Sequence, residues 1–513
     1  MVRAMSGSSA LTRPAVQLAA LTALALAVRL YHLGGLPLWL DETFTVRHAT
    51  VGVGQLWREG FNHPPLYFWL HQIVLPWAPS PAVMRAPSLV FGTLAIPAMY
   101  ALAREFVAHR TALIAAALLA LSSIHVEYSQ EARPYALFYL VTLIVLWASA
   151  RYARLCADVT RSQTPFWQSA NGALALYALA ATLLLYTHNM SVFVLAALGL
   201  VMLFWTFADW PRSRQMFVRW IAATAVCFIA AGPWLIQLAR MSVYGTPQFD
   251  WLEHAAWTNA LDKALSVQGL HHVNRFQPWI NAALFVLACL GAVRAANPRR
   301  FLPFFVIFAV VMPLFVWLVG FYQPIFMTRT IIWSAIPVYI AWAVFATGLE
   351  SLIMRAVAVV GFVFVSTASV VNYYFYPQVD NWPAAAETVM EQRAEDDLLV
   401  LCPAHVSTPL RVYSPPAIVS RPFQTLSGDT MISRAWDWRD RRVAELKADN
   451  ALDRASRVVF VEANCDPQQV HDTVSLLASR GWAETFDWRP REFATTRIRV
   501  FVPSTSSEST AVP

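Results

Sequence analysis

Long apolar segments recur along most of this chain, and they constrain its fold more than any other feature. A helix that crosses a bilayer needs roughly 17–25 mostly apolar residues. Segments of this kind follow one another up to residue 374, separated by polar or basic stretches. We therefore predict a polytopic α-helical membrane protein with about eleven transmembrane helices. The predicted spans cover residues 15–33, 86–104, 111–128, 134–151, 170–188, 190–208, 218–238, 279–294, 302–320, 330–349 and 354–374.

The composition supports this prediction. Hydrophobic residues make up 57% of the chain and charged residues only 13%, whereas a soluble domain carries about 25% charged residues. The mean hydropathy is +0.46. The first apolar run follows Arg3 and Arg13 as in a signal peptide, but no small-residue cleavage site comes after it. We therefore interpret this run as an uncleaved first span.

The net charge of +7 has two explanations: a nucleic-acid partner, or a bias of arginine towards the cytoplasmic side of a membrane. The basic residues occupy alternate connections between the predicted spans, which favours the second explanation. The positive-inside rule then places the N-terminus in the cytoplasm, and the odd number of spans places the C-terminus outside. No nucleic-acid partner is predicted. The residues that define the pattern are Arg3, Arg13, Arg104, Arg110, Arg151, Arg154, Arg161, Arg212, Arg214, Arg219, Arg294, Arg299, Arg300 and Arg355.

The segment after the last predicted span has a different character. The stretches "DLLVLC", "SRVVFVEAN" and "RIRVFVP" have the composition of strands, and "DTVSLLASRGW" that of a helix ending at a glycine. We predict a transmembrane domain over 1–374, then a small extracytoplasmic α/β domain over 375–503 and a disordered tail over 504–513. Cys402 and Cys465 each follow a predicted strand. A disulfide in an oxidising compartment and two unrelated buried thiols explain them equally well.

The first predicted outer loop, 34–85, carries two polar motifs, and each stands at the start of a predicted short helix. In "LWLDETF", Asp41 and Glu42 stand at the start of a helix. Acids there cap the helix and complement its dipole, and they can also act as a base. His63 precedes a double proline that opens a short aromatic helix suited to the membrane interface. A turn histidine is compatible with a cap, a ligand or a phosphate partner.

Charges also interrupt the apolar sequence at "YSQEARPYAL". Glu131 and Arg133 stand where the third predicted span leaves the membrane, before Pro134 opens the fourth. They form either a structural ion pair or part of a functional site. The second alternative follows because charged side chains at membrane depth cost free energy and commonly mark functional sites.

Three more polar residues lie at predicted outer turns or span ends, namely His188 in "YTHNMS", Arg329 in "PIFMTRT" and Arg29 in the first span. The two arginines break the positive-inside pattern and therefore require an anionic partner. A local carboxylate such as Asp41 or Glu131 meets that requirement, and so does a bound phosphate.

Together these side chains offer carboxylates that can take a proton and cations that can hold a phosphate. Transfer of a sugar from a lipid phosphate needs both. The acceptor hydroxyl loses its proton as the anomeric bond breaks, and the leaving phosphate needs charge stabilisation more than a general acid. Arginine suits that role through bidentate contacts.

Several motifs occur in the same order in one known family. "LWLDET", "NHPPLYFWL", "YSQEARPYAL", "YTHN", "PIFMTRT" and "DNWPAAAETV" resemble the motifs of C-type (GT-C) membrane glycosyltransferases, over roughly residues 25–400. The resemblance is to the bacterial branch related to protein O-mannosyltransferases and to the lipid A aminoarabinose transferase. It implies a polyprenyl-phosphate sugar donor, chemistry on the outer face of the bacterial cytoplasmic membrane, and an inverted product. Protein O-mannosyltransferases carry a further soluble domain between spans that this sequence lacks, which counts against a protein acceptor. The sequence does not name the acceptor among a lipid, a glycan, a cell-wall polymer and a protein.

The resemblance also implies roles for single residues. The family's essential acid in the first outer loop corresponds to Asp41, with Glu42 beside it, and we predict Asp41 as the general base. In an alternative interpretation the two acids hold a divalent cation, Mg²⁺ or Mn²⁺, which prefer oxygen ligands. Glu131 is expected to orient Arg133 or to contact the sugar. The residues predicted to bind the donor phosphate or its sugar, a hexose or pentose, are His63, Glu131, Arg133, His188, Arg329 and Arg29.

Two other classes of function compete with this prediction. A transporter or flippase of a lipid-linked sugar would also need acids and cations, but it predicts charges near the bilayer midplane and repeated or broken helices. Here the charges lie at the ends of the predicted spans and no repeat is visible. A membrane-anchored structural protein would leave the outer acids unexplained. The glycosyltransferase is therefore the favoured prediction.

Overall fold

The computed structural model describes most of the chain, and helices dominate it. The described residues are 13–50, 63–74, 80–157, 165–207, 213–243, 256–267, 276–375, 380–393, 397–402, 406–414, 452, 455–489 and 495–504. The predicted disordered tail lies outside these residues except for Ser504.

The first part of the described chain is a bundle of helices, α1 to α16. Helix α14 contains one π-helical turn, Ile307–Val311, and short 3₁₀ turns occur at Phe166–Gln168, Thr328–Thr330 and Ile332–Ser334. The helices are α1 Pro14–Leu30, α2 Leu40–Thr50, α3 Leu66–Val74, α4 Pro81–Ala103, α5 His109–Ala120, α6 Ser123–Ser129, α7 Tyr135–Ala157, α8 Ala170–Leu185, α9 Ser191–Phe207, α10 Arg214–Ala230, α11 Gly232–Val243, α12 Trp257–Ser266, α13 Gln277–Val293, α14 Pro298–Val319, α15 Ala335–Gly348 and α16 Leu352–Phe375.

The predicted spans coincide with apolar helices. Helices α4, α7, α14 and α16 are long and apolar enough to cross a membrane, which makes 4 spans, or up to 6 if the bent pairs α5–α6 and α10–α11 each form one. Shorter apolar helices occupy α1, α8, α9, α13 and the segment Ile332–Gly348. Every predicted span falls on one of these elements. The polytopic helical membrane protein is thus confirmed, whereas the full number of crossings stays a prediction.

Helix α7 lies at the centre of the bundle. Most of its apolar length is buried, and it packs against α4 and α8. Helices α13 and α15 also pack together, so closely that a Cβ atom added at Gly291 would collide with the carbonyl oxygen of Ala341. Small residues at such contacts are typical of helices that pack within a membrane.

Arg29 stabilises the break between α5 and α6, where the chain bends by 62°. Its guanidinium donates to the carbonyl oxygens of Ala120 and Leu119, at 3.1 and 3.4 Å, and lies 2.7 Å from His125 Nδ1. Helix carbonyls exposed at membrane depth must find such partners. Arg29 is fully buried in this arrangement. This corrects the prediction that Arg29 binds the donor, because its side chain is committed to the fold.

The chain after α16 forms a small sheet with helices on both faces. The strand order is β1-β2-β4-β3, with β1 and β2 parallel and the other two pairs antiparallel. Helices α17 and α18 pack on one face and α19 on the other. The elements are α17 Trp382–Gln392, β1 Leu398–Cys402, α18 Ser407–Tyr413, β2 Val458–Glu462, α19 Pro467–Ser479, β3 Trp482–Trp488 and β4 Arg497–Pro503.

The strands and the helix expected in this region are present as β1, β2, β4 and α19. Soon after α19 comes Gly481, whose φ of 79° suits the glycine stop expected there. Strand β3 is additional. It lies at the sheet edge, where Glu484 and Asp487 interrupt its apolar residues and obscure the strand pattern.

Cys402, at the end of β1, and Cys465, just before α19, form a disulfide with their Cα atoms 5.5 Å apart. The structure thereby selects one of the two alternatives that the sequence left open. The bond links the first strand to the connection that follows the second strand.

Candidate active site

Asp41 and Glu42 lie in the first turn of α2, and their side chains point to different surroundings. The backbone N–H of Trp39 donates to Glu42 Oε2 at 3.1 Å, so Glu42 is the residue that caps the helix. Adjacent positions on a helix are about 100° apart. The side chain of Asp41 consequently lies on another side of the helix and is 23% exposed.

Glu42 and Arg85 form a buried ion pair, here called the clamp. Arg85 Nε donates to Glu42 Oε1 at 2.7 Å and Nη2 donates to Oε2 at 2.6 Å. The backbone N–H of Ala132 adds a hydrogen bond to Oε1 at 2.8 Å. The Glu42 carboxylate is fully buried, and each of its oxygens accepts one hydrogen bond from Arg85 and one from a backbone N–H. This corrects the prediction that Glu42 takes part in catalysis or metal binding.

Sequence analysis missed Arg85, which ties the first loop to α4. Its guanidinium also donates to the carbonyl oxygens of Leu33, Leu36 and Pro37, at 2.9 to 3.0 Å. Together with Glu42 these partners occupy the N–H groups of the side chain. A signal was available, because Arg85 stands at the predicted outer end of the second span, against the positive-inside pattern.

The "QEARP" turn between α6 and α7 is held from several sides. Gln130 Nε2 donates to the backbone oxygens of Arg29 and Tyr31, at 2.8 and 2.6 Å. The Ser88 hydroxyl donates to the Arg133 backbone oxygen at 3.2 Å, and Tyr67 in α3 lies 2.7 Å from the same hydroxyl. The turn thus has a fixed position relative to α1, α3 and α4.

Asp41, Arg133 and Arg329 form a second group, here called the open cluster. Asp41 Oδ2 lies 3.7 Å from Arg133 Nη2 and 3.4 Å from Arg329 Nη1. Both guanidinium groups lie 6.0 Å from the ring centre of Tyr135. The Nε atoms of both arginines are buried and have no hydrogen-bond partner among the described residues. One carboxylate faces two cations, so the cluster carries a net positive charge and unused donors.

His188 is a neutral neighbour of the open cluster. Its Nδ1 accepts a hydrogen bond from the backbone N–H of Met190 at 3.1 Å, which places the ring proton on Nε2. Burial, and then the charges of Arg133 and Arg329, lower the pKa of His188 to about 3. The ring stacks on Phe138 with 4.8 Å between centroids. His188 therefore offers a hydrogen bond rather than a charge.

His63 and His48 share these surroundings. Burial first, and then Arg133 and His188, lower the pKa of His63 well below its usual value. Burial first, and then His63, lower the pKa of His48 in the same direction. Sequence analysis missed His48, although it stands two helical turns after Asp41 on the same face of α2. The positive charge of the site thus comes from its arginines and not from its histidines.

Glu131 lies in the "QEARP" turn but does not pair with Arg133, whose charge faces Asp41 instead. This corrects the prediction that Glu131 orients Arg133. Glu131 Oε2 is buried and has no hydrogen-bond partner within the described part of the chain. Burial raises the pKa of Glu131 well above its usual value, and Glu127 raises it further, against the opposing effect of Arg329. A protonated carboxyl can both donate and accept a hydrogen bond.

The two acids do not fit a shared metal site. The Glu42 carboxylate is saturated by the clamp, and Asp41 faces two arginines on the side that a cation would occupy. Among the described residues, no three His, Cys, Asp or Glu side chains gather in an arrangement that could hold a metal ion. The chemistry of the site is therefore derived from its side chains alone.

Comparisons with known proteins agree with the motifs. Residues 62–237 match the sequence profile of the dolichyl-phosphate-mannose-protein mannosyltransferase family. No curated protein sequence matches the chain.

Solved structures with the same fold are distant in sequence. ArnT from Cupriavidus metallidurans, bound to undecaprenyl phosphate, matches with a TM-score of 0.56 at 13% identity, over 94% of this chain and 97% of ArnT. The oligosaccharyltransferase AglB from Archaeoglobus fulgidus, in complex with an inhibitory peptide and a dolichol-phosphate, matches with a TM-score of 0.51 at 12% identity, over 98% and 75%. The arabinofuranosyltransferase AftD from Mycobacteria matches with a TM-score of 0.53 at 13% identity, over 95% and 41%. The chain has the GT-C fold, and its predicted resemblance to this group is confirmed.

Proposed function

We propose that this membrane protein, which has the fold of the C-type glycosyltransferases, transfers a sugar from a polyprenyl-phosphate donor to an acceptor hydroxyl. The reaction takes place on the outer face of the bacterial cytoplasmic membrane and inverts the anomeric carbon. One observation carries the proposal: Asp41 lies between two arginines whose Nε donors have no partner among the described residues. Related folds that were solved with undecaprenyl phosphate or dolichol-phosphate lend it further support.

The open cluster provides both groups that the reaction needs. The acceptor oxygen attacks the anomeric carbon from the side opposite the phosphate, and Asp41 Oδ2 takes the proton of the hydroxyl. The bond between the anomeric carbon and the phosphate oxygen breaks, and its electron pair stays on the phosphate. Arg133 and Arg329 stabilise that charge. A single displacement of this kind inverts the configuration.

The neutral groups around the cluster bind the rest of the donor. His63 and His188 donate hydrogen bonds to the phosphate or to a sugar hydroxyl, since burial and the nearby arginines keep them uncharged. Glu131 contacts a sugar hydroxyl through its unpartnered oxygen. Hexoses and pentoses both present hydroxyls for these contacts, so these residues accommodate either class.

The topology belongs to the same proposal. All the apolar segments cross the membrane, the N-terminus is cytoplasmic, and the α/β domain over 375–503 lies outside. The disulfide between Cys402 and Cys465 supports an oxidising compartment for that domain. The acceptor is a lipid, a glycan or a protein that reaches the outer face.

Release of polyprenyl phosphate tests the proposed reaction. The purified protein in detergent is given a panel of polyprenyl-phosphate hexoses and pentoses, with a membrane-lipid extract as the source of acceptor. Release by the wild type and not by Asp41→Asn is the expected result, and the productive donor identifies the sugar. Binding of a labelled donor without turnover in any combination would contradict the enzyme and favour transport of a lipid-linked sugar.

A further inference from the structure

We propose that Tyr413, in the C-terminal domain, positions the helix that carries Asp41, so that this domain is a working part of the active site. The inference deepens the proposed function and rests on it. Tyr413 is a positioning residue, because its contact is with the segment that leads into α2 and not with the reacting groups.

The central observation is a hydrogen bond between distant parts of the chain. The backbone N–H of Leu38 donates to the Tyr413 hydroxyl oxygen at 2.6 Å. Leu38 is 1% exposed and stands two positions before the start of α2. Without the tyrosine oxygen this buried N–H would lose its only hydrogen bond among the described residues. Buried N–H groups are seldom left unpaired, so the contact fixes the entry into α2.

An apolar cluster reinforces this hydrogen bond. Val412 and Tyr413 pack against four buried residues that come from the three segments that build the site. The first loop and α2, the start of α4 beside Arg85, and the "QEARP" turn each contribute to it. The four residues are Leu38, Val46, Met84 and Ala132.

Ala132 links this cluster directly to the clamp. Its backbone N–H donates to Glu42 Oε1 at 2.8 Å, next to the bond from Arg85. The end of α18 therefore packs against the segments that hold Glu42. Glu42 is the neighbour of Asp41 in the same helical turn. A shift of α18 would move these segments together.

Helix α18 is itself firmly held in its own domain. Val406 and Leu410 are buried in the core between α17 and the sheet. The disulfide between Cys402 and Cys465 ties the end of β1, a short distance before α18, to the start of α19. A general base must lie within hydrogen-bond reach of the proton it takes, and small displacements of catalytic groups reduce turnover strongly. A rigid support behind α2 meets that requirement.

The substitution Tyr413→Phe tests the inference, because it removes the acceptor oxygen and keeps the ring in the apolar cluster. Tyr152→Phe is the matched control. The Tyr152 hydroxyl donates to the Met216 backbone oxygen at 3.2 Å, close to the other end of α7 from the "QEARP" turn. Two quantities are measured for both variants: kcat and KM with the productive donor, and hydrogen–deuterium exchange of the peptide that contains Leu38.

We expect kcat of Tyr413→Phe to fall about tenfold, the factor that corresponds to one hydrogen bond lost at a buried donor, with KM for the donor changed less than about twofold. The Leu38 peptide should exchange faster in this variant. Tyr152→Phe should leave both quantities as in the wild type.

Other results overturn the inference. An unchanged kcat in Tyr413→Phe would show that the contact does not position Asp41, and an equal loss in both variants would show a general effect on the fold. An unchanged exchange rate at Leu38 would show that the hydrogen bond does not hold the segment, and this readout does not depend on turnover. If the wild type itself releases no polyprenyl phosphate, the proposed function fails, and the exchange measurement then decides on the Tyr413 contact separately.

Discussion

The clamp and the open cluster lie side by side at the first turn of α2, and both pair carboxylates with guanidinium groups. They differ in hydrogen bonding. In the clamp, the carboxylate of Glu42 and the N–H groups of Arg85 are bonded to each other or to the backbone at 2.6 to 3.1 Å. In the open cluster, the two ion pairs measure 3.4 and 3.7 Å, and the Nε atoms of both arginines have no partner in the described part of the chain.

This difference indicates a structural role for the clamp and a chemical role for the open cluster, although both begin in the same helical turn. The clamp is electrically neutral and saturated, so a ligand would have to break existing bonds in order to bind there. The open cluster has one carboxylate, two cations and spare donors, and an additional anion would complete it. Removing one partner of a buried, fully hydrogen-bonded ion pair destabilises a fold, whereas an ion pair with unused donors is a candidate for binding and catalysis.

The largest effect is expected for Asp41→Asn, which removes the base of the open cluster. The amide cannot take the acceptor proton, so kcat should fall by about 10² to 10⁴. The thermal midpoint of the purified protein should fall less than in a variant that breaks the clamp, because the Asp41 side chain is partly exposed and its ion pairs are long. Polyprenyl-phosphate release and a thermal melt measure the two quantities. Turnover within tenfold of the wild type would exclude Asp41 as the base.

For Glu42→Ala, in contrast to Asp41→Asn, the clamp predicts a large loss of stability. This substitution leaves Arg85 buried without its charge partner, which should lower the free energy of unfolding by about 3 to 5 kcal/mol. The neighbouring Asp41→Ala is the matched control and should cost less, because the Asp41 side chain is partly exposed and its ion pairs are longer, at 3.4 and 3.7 Å. Chemical or thermal unfolding in detergent compares the two variants. Equal stability losses would remove the distinction between the clamp and the open cluster.

Arg329→Ala should lower kcat by about 10² to 10³, because one of the two cations that stabilise the leaving phosphate is lost. Arg329→Lys should recover part of that loss, since it restores the charge but not the planar donors. Arg299→Ala, an exposed arginine at the start of α14, is the control. Kinetics at saturating donor measure all three variants. A loss in the control as large as that in Arg329→Ala would contradict a local role.

Much of the fold was predictable from local patterns. The spans follow from the length of apolar segments, and β1, β2 and β4 follow from short apolar runs, because both signals reside in contiguous residues. The end of the helix bundle that carries the site was predictable too, because Asp41, Arg133 and Arg329 are charged residues beside apolar segments. What the sequence could not show is the pairing itself. The ion pair between Asp41 and Arg329 spans 288 positions and depends on how the helices pack.

The errors in the predicted site have the same cause. Asp41 and Glu42 have equivalent local sequence signals, and only the position of Arg85 in α4 commits one of them to the fold. Arg29 and Arg329 have similar places in the sequence, because each lies near one end of a predicted span. The N–H groups of Arg29, however, donate to carbonyl oxygens at the break between α5 and α6. A residue's partners across the bundle, not its place in a motif, decide between these roles.

The smallest effect concerns acid stability and the histidines next to the open cluster. His188 has a pKa of about 3 in the folded protein, whereas an unfolded histidine titrates near about 6.5. Between these values the unfolded chain binds more protons than the folded one, so the free energy of unfolding falls as pH drops below about 6.5. The slope is at most about 1.4 kcal/mol per pH unit for one histidine, and the term vanishes above about pH 7. His188→Asn should therefore reduce the acid sensitivity of the thermal midpoint between about pH 6.5 and 4.5.

The arginines make this measurement specific to the open cluster. After burial, Arg133 and Arg329 are the causes that lower the pKa of His188. Arg329→Ala should therefore raise that pKa and bring the acid sensitivity part of the way towards that of His188→Asn, while Arg299→Ala should not. Thermal midpoints across the pH series measure all of these variants. If Arg329→Ala kept the full acid sensitivity of the wild type, Arg329 would not contribute to the low pKa of His188, and burial and Arg133 would account for it.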